Sequence, residues 1–452
     1  MKTTRKTAPL ISLKKLFFIL LPLWIIPFLL QAQDPIQYET TARRLLDHLV
    51  TKDVDAMIGM FSEQFLEQVP REQISEIAQG LESQLGEFKH VSRVVHEPGD
   101  DYHTVILVTR FGEMDLGMRI IMDIAGKVTG FFITMAPPES YTPPPAYADS
   151  TAFTEIPTEV DCGDIRLPAM LTLPDTEEKV PIVVLVHGSG AHDMDESIGP
   201  NKIFRDIAWG LATRGIAVLR YEKRNFRNAS TLDLENITVW DEAGQDAVHA
   251  INMVMQLPGI DREQVYLLGH SLGGMIAPRI AKAVPELRGI VSLAGSPRQL
   301  WELIPGQIEH LISLRDEVDE ASLKQLEQVT ETAKILESKR NDPNAVIGEE
   351  LLGMPPSYLQ DMLQNDVAVI APVLQQRILV LHGGRDYQVT MYDYNAWKEV
   401  LKDHHDTTFF IYPELNHLFF SGDGKSTPDE YFTENNVDKK VIEDIAKWIH
   451  AK

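Results

Sequence analysis

A serine framed by two glycines, Gly269-His270-Ser271-Leu272-Gly273, follows the apolar run Val265-Tyr-Leu-Leu268 and leads into a helix-like stretch that continues Met275-Ile-Ala. A chain that turns directly from strand to helix needs residues without a β-carbon beside the apex, because side chains there collide with the neighbouring elements. The apex residue is held in a strained conformation that points its hydroxyl out above the sheet. The chemistry open to such a serine is attack on an acyl carbon. It requires a base to take the hydroxyl proton and a third group to hold that base in the right tautomer.

Both partners follow later in the chain, each after a strand, in the order serine, acid, histidine. Ile378-Leu-Val-Leu-His382-Gly-Gly-Arg-Asp386 ends a strand in a turn carrying a carboxylate, and Phe409-Phe-Ile-Tyr-Pro-Glu-Leu-Asn-His417 ends the last strand in a loop carrying an imidazole. Glu414 is the rival acid, but it shares the loop of the base and has to fold back on it. The segment Ala294-Gly-Ser-Pro-Arg298, after the preceding strand, offers no carboxylate. Ser271 is therefore the expected nucleophile, His417 the base and Asp386 its orienting acid. Acyl transfer also needs donors for the developing oxyanion. The strand Ile182 to Val186 runs into His187-Gly188-Ser189-Gly190, which sets the backbone amide of Ser189, or as second choice Gly190, opposite that of Leu272. The plainer alternative for this tetrad is a strand-ending turn.

Other suggestive pieces lack their context. Gly424-Lys425-Ser426 misses the glycine a phosphate-binding loop needs, since position 419 is Phe, and no HExxH-type helical pair accompanies His404-His405-Asp406 or His192-Asp193. Neither a cofactor nor a metal is expected.

The elements that must position these residues are legible from residue 153 onward. Strand-like stretches at 165–173, 181–187, 216–219, 265–268, 290–293, 378–381 and 408–412 alternate with helix-like ones at 201–213, 239–257, 272–284, 391–403 and 437–450. Continuous apolar strands separated by helices describe a mostly parallel sheet buried on both faces. One largely helical insertion, 297–372, is long for a crossover and reads either as a solvated helical hairpin or as a cap over a substrate pocket. Ahead of this domain (151–452), residues 36–135 read as helices followed by four strands, a small α+β unit. Five prolines between Ala136 and Ala146 make 136–150 an extended linker.

The bulk numbers set limits. A chain of 452 residues suggests two folding units, and a net charge of −24 with a pI of about 5.0 argues against nucleic acid as a partner. Residues 1–32 run from Lys2, Arg5, Lys6, Lys14 and Lys15 through an apolar core, Leu16 to Leu30, to the small Ala32. That order predicts a cleaved signal peptide, with a retained membrane anchor as the alternative, export to a bacterial periplasm or beyond, and no membrane span after cleavage. Cys162 is the only cysteine, so no intrachain disulfide can form.

With these residues assembled, the region from about 155 to 452 resembles α/β-hydrolase carboxylesterases. It is especially similar to bacterial esterases and serine-aminopeptidase-like hydrolases that read HGSG, then an acidic stretch, then IGPNK and a strand end of the RY-D/E-KR type. Here these are His187 to Gly190, Asp193 to Glu196, Ile198 to Lys202 and Arg220 to Arg224; relatives often carry Pro and Arg where this chain has Ala191 and Met194. The resemblance implies an α/β fold with an eight-stranded-type sheet and a serine hydrolase acting on small-molecule carboxylic esters, with short acyl groups expected. An aminopeptidase-like activity, with Asp193, Asp195 and Glu196 holding a substrate amine, is the alternative among enzymes. An inactive envelope binding protein is the alternative outside them. Residues 36–135 resemble an uncharacterised cystatin-like or nuclear-transport-factor-like domain, carried by Met60 to Phe65, Gln84 to Phe88 and Gly126 to Phe132. That likeness implies a shape and no chemistry.

Overall fold

The computed structural model describes residues 35–451, except 100, 101, 113, 139, 229–232, 234, 235, 316, 317, 319, 341 and 343. The expected signal peptide, 1–32, lies outside the described residues. Helices α1 (Pro35–Thr51), α2 (Val54–Ile58), α3 (Glu63–Gln68) and α4 (Arg71–Leu85) pack on one face of an antiparallel meander. The Asp53 and Ser62 side chains cap α2 and α3 by accepting from the amides of Ala56 and Phe65. Its strands, β1 (Phe88–Pro98), β2 (Tyr102–Phe111), β3 (Met114–Asp123) and β4 (Val128–Met135), pair in chain order. Alternation along them sends Val105, Leu107, Met118 and Ile120 into a core with Leu45, Leu49, Ile74 and Leu81.

The described residues of 136–152 have no regular structure, yet they do not stand off as a spacer. Thr142 Oγ1 donates to Asn201 Oδ1 at 2.6 Å, Tyr147 OH donates to the Val437 carbonyl at 2.8 Å, and Arg205 reaches the Pro143 carbonyl. The prolines suppress regular pairing, and side chains on either side of them fasten the strap to the next domain.

That domain is built on an eight-stranded sheet. Edge strands β5 (Phe153–Asp161) and β6 (Arg166–Pro174) precede β7 (Val180–Val186); the short hairpin β8 (Ser197–Ile198) and β9 (Asn201–Lys202) stands apart; then come β10 (Ala217–Tyr221), β11 (Ile260–His270), β12 (Gly289–Leu293), β13 (Arg377–Gly383) and β14 (Thr407–Tyr412). The spatial order is β14-β13-β12-β11-β7-β10-β6-β5, parallel except where β6 meets β5 and β10. β5 has no clear signature in the apolar pattern because, at the edge, only Phe153 and Val160 are buried. The central strands alternate between two cores. Val184, Leu267 and Val380 face one, and Val183, Leu268 and Leu381 the other.

Helices α5 (Ile203–Ala212) and, from the far end of the chain, α14 (Lys439–His450) cover one face, and α7 (Gln245–Val254) with α8 (Leu272–Ala283) cover the other. The helix expected over 239–257 opens instead with a π-helical turn, Trp240–Gly244, and that expected over 201–213 starts only after β9. A short α6 (Arg224–Asn228) follows β10. The insertion forms α9 (Leu300–Ser313), α10 (Glu320–Lys339), α11 (Pro356–Gln364) and α12 (Val367–Ile370), and α13 (Met391–Val400) follows β13. The insertion is solvated in one part and packed in another. Much of α10 faces solvent, whereas Trp301 of α9 and Leu359 of α11 are fully buried against the catalytic domain. Among the described residues no helix is long and apolar enough to cross a membrane.

Candidate active site

Because β11, β13 and β14 run parallel, their C-terminal ends share one edge of the sheet, where ligand sites of such sheets gather. Ser271, Asp386 and His417 follow those ends. Ser271 sits at φ 52° and ψ −115°, a strained left-handed conformation for a residue with a side chain. Two glycines make the turn possible. A β-carbon on Gly269 would stand 2.1 Å from the Gly273 carbonyl, and one on Gly273 would stand 2.2 Å from the Val186 oxygen. The turn is pinned by the Ser271 amide, which donates to the Leu293 carbonyl at 2.9 Å.

His417 Nδ1 lies 2.7 Å from Asp386 Oδ2, both residues buried. The other oxygen, Oδ1, accepts from the amides of Gln388 and Val389, so the carboxylate is held by three donors. With Nδ1–H donating to a carboxylate, the imidazole presents Nε2 as an acceptor. Glu414, the rival acid, is exposed. The base loop is shaped by Asn416, fully buried, whose Oδ1 accepts from the Leu418 and Phe420 amides and whose Nδ2 donates to Glu430. Among the described residues the Ser271 hydroxyl makes no hydrogen bond. In resting hydrolases that contact is often long and tightens when substrate binds.

The turn after β7 has three amides to offer. Gly188 N–H donates to Glu196 Oε1 at 2.6 Å and Gly190 N–H to Glu242 Oε1 at 3.0 Å, which leaves the Ser189 amide without a partner among the described residues, like the Leu272 amide at the start of α8. This removes Gly190 as the second choice. Buried Lys223 braces the turn by donating to the Gly188 carbonyl and to Glu242, whose second oxygen accepts from Tyr358 OH of α11 at 2.8 Å.

The acidic stretch is engaged within the fold. Asp193 accepts from the Ser197 hydroxyl and amide, and Asp195 pairs with Arg220 at 2.7 Å and Lys202 at 2.8 Å. Glu196 is 1% exposed and adopts φ 47°. Its Oε2 lies 3.0 Å from His270 Nδ1, out of line for a hydrogen bond, so that contact is an ion pair. His270 Nε2 in turn donates to the His417 carbonyl at 3.1 Å. Both ring nitrogens of His270 thus lie beside oxygen atoms. Burial by itself would lower its pKa, but Glu196 outweighs that and raises it; burial would likewise raise Glu196, and His270 holds it down at about 2. Sequence reasoning found neither this pair nor Lys223, Glu242 and Tyr358. The signals were the acidic run at 193–196, which pointed to a substrate amine, and the strand end Arg220 to Arg224, which contains Lys223 but carried no role for it.

The remaining candidates fall away from the site. His404 bonds Thr407 and the Leu374 carbonyl within its own corner, and His192 Nε2 meets the Ser189 carbonyl at 2.8 Å.

A strained serine on a strand-to-helix turn, an aspartate-held imidazole on the last loop and two free amides, all on one edge of an order-switching parallel sheet, define a serine hydrolase of α/β-hydrolase architecture. Residues 177–423 match the family described as serine aminopeptidase, S33, and the chain belongs to it. Residues 42–131 match a domain described as a protein of unknown function, DUF3887. Esterase EstD of Thermotoga maritima is 36% identical over 412 residues, 91% of this chain and 95% of that protein. Among solved structures, Est1E from Butyrivibrio proteoclasticus is 16% identical with a TM-score of 0.42, covering 66% of this chain and 99% of that one. The esterase domain of a Rhodothermus marinus protein is 18% identical with a TM-score of 0.37, covering 66% and 97%.

Proposed function

We propose that the protein hydrolyses carboxylic esters through an acyl-enzyme on Ser271. The observation that carries this is the 2.7 Å contact between His417 and Asp386 on the edge that also bears the strained serine. Ser271 Oγ attacks the ester carbonyl carbon while its proton passes to His417 Nε2, and the tetrahedral oxyanion is received by the amides of Ser189 and Leu272. Collapse breaks the bond to the alcohol oxygen, which leaves with the proton from His417. Water then attacks the acyl-enzyme with the same imidazole as base, releasing the carboxylic acid and restoring Ser271.

The likeness to an esterase over nearly the whole of both chains favours esters over peptides. So does the pairing of Asp195 with Arg220 and Lys202 and of Glu196 with His270, which leaves neither free to bind an amine. Replacing Ser271 with Ala should lower turnover of 4-nitrophenyl acetate by about 10³-fold or more with the melting temperature preserved. Turnover within tenfold of the parent would discard the assignment, and the absence of fluorophosphonate labelling in the parent would favour an inactive binding protein. Faster cleavage of aminoacyl amides than of acyl esters would move the activity to the peptidase side. The basic, apolar and small-residue order of residues 1–32 supports export, which periplasmic fractionation tests.

A further inference from the structure

The face of the β1–β4 sheet that its helices leave open is not given to solvent. Ile106, Ile121 and Arg119 on it are 4%, 1% and 8% exposed. The Arg119 guanidinium pairs with Glu97 at 2.6 Å and lies over the ring of Phe226 in α6, 3.9 Å from its centroid, so the two domains are clasped here. Beside the clasp they enclose a cleft of about 460 Å³. Ile106, Phe132 and Met135 of the N-terminal sheet form one wall, Tyr141 of the strap another, and Ala191 and His192 a third. A volume of this size suits a small organic group.

The third wall sets its relation to the chemistry. Ala191 is two residues beyond Ser189, so their Cα atoms are at most about 7 Å apart. His192 Nε2 is bonded to the Ser189 carbonyl itself. A substrate whose carbonyl oxygen rests on the Ser189 amide needs an extension of about six single bonds to match that separation. An acetyl or methyl group stops short of it. The walls are mostly apolar, and their polar fixtures include the Arg119 guanidinium with its partner Glu97, the Tyr141 hydroxyl, Asp193 and Asn225.

We propose that this cleft binds the distal portion of the ester substrate, an amphipathic group with an apolar body and a hydrogen-bond acceptor for Arg119, and that the N-terminal domain thereby sets specificity. The inference rests on the Ser271 reading. It is compatible with a short acyl group when the alcohol carries the extension.

The test uses the full-length protein and three esters: 4-nitrophenyl acetate, 4-nitrophenyl 6-(4-methoxyphenyl)hexanoate, and 6-(4-methoxyphenyl)hexyl acetate followed by acid release. The parent should favour at least one long ester over 4-nitrophenyl acetate by about tenfold in kcat/KM. Thr134→Trp, which fills the cleft from a half-buried lining residue on the same face of β4 as Phe132, should erase that preference through KM, while turnover of 4-nitrophenyl acetate stays within about twofold. Arg119→Met, which keeps bulk over Phe226, should raise KM for the favoured long ester several-fold. The proposal is overturned if neither variant changes the long-to-short ratio, or if all three esters slow equally. It is also overturned if 6-(4-methoxyphenyl)hexanoate binds in the cleft as an effector without competing with the long ester. Activity retained by Ser271→Ala on 4-nitrophenyl acetate would instead remove the underlying reading, whatever the cleft binds.

Discussion

Glu196 and His270 form a second carboxylate–imidazole pair beside that of Asp386 and His417. Through Gly188 N–H, His270 and the His417 carbonyl they tie the oxyanion turn, the nucleophile turn and the base loop to one another. Removing one partner from a buried pair leaves an uncompensated charge, or forces a proton change that weakens the tie. Glu196→Gln should therefore let the pKa of His270 fall, cost about 1–3 kcal/mol, and lower kcat by roughly ten- to a hundredfold with a smaller change in KM. The window follows from the signs. Glu196 is depressed, so its contribution is present above pH 4.5 and fades as pH falls toward 2; His270 is raised, so its contribution is present below its ordinary 6.5 and is lost as pH climbs through its folded value. Denaturation of parent and variant between pH 4 and 9 should show the largest stability gap at about pH 5–6.5. A kcat within threefold of the parent removes the pair from the positioning of the site.

At the scale of elements, the oxyanion turn is braced from the insertion. Tyr358 of α11 donates to Glu242, which also receives Gly190 N–H and Lys223, so a helix far along the chain helps decide which amide of the turn stays free. Tyr358→Phe leaves one carboxylate oxygen of a buried Glu without its donor, a loss of about 1–3 kcal/mol. We expect a lower urea midpoint together with a kcat reduced roughly three- to tenfold, because the turn loses part of its brace. A midpoint that falls while kcat holds would confine α11 to a structural role. α9 makes its own contact with the acid loop, stacking His310 on Tyr387 at 4.4 Å and bonding Gln307 to the Gln388 carbonyl.

Across the whole molecule, the two domains meet around partly buried charges. Glu222, which follows β10, faces Arg227, Arg119, Asp193 and Glu97, and burial pushes its carboxyl up to about 7 despite the two arginines. A carboxyl whose folded value exceeds the ordinary 4.5 holds its proton more tightly in the folded chain. Its contribution is fully present below pH 4.5 and is lost as pH rises toward 7. Glu222→Gln should then raise the melting temperature at pH 8 by a few degrees, at about 2–4 °C per kcal/mol, and change it little at pH 4.5. An equal shift at both pH values would mean that the proton is not the cause.

The amino-acid sequence determined what depends on neighbouring residues. The glycines at 269 and 273 leave room for a strained serine, a steric demand met within five residues, and the rise and fall of apolar period marks helices before strands in 36–135 and strands alternating with helices after 153. Parallel strands put their C-terminal ends on one edge, which is why Ser271, Asp386 and His417 could be selected from chain order and why Glu414 could be set aside. Tertiary structure decided the rest. Whether Asp193 to Glu196 face a ligand or brace the fold turns on Arg220 and His270, which no local rule brings near. The strap at 136–152 is docked because Asn201 and Val437 happen to lie beneath it, and the interdomain cleft exists only because one sheet face meets the loop that leaves the oxyanion turn. Contacts between distant segments are set by packing and desolvation summed over the whole chain, and periodicity along the sequence carries no record of them.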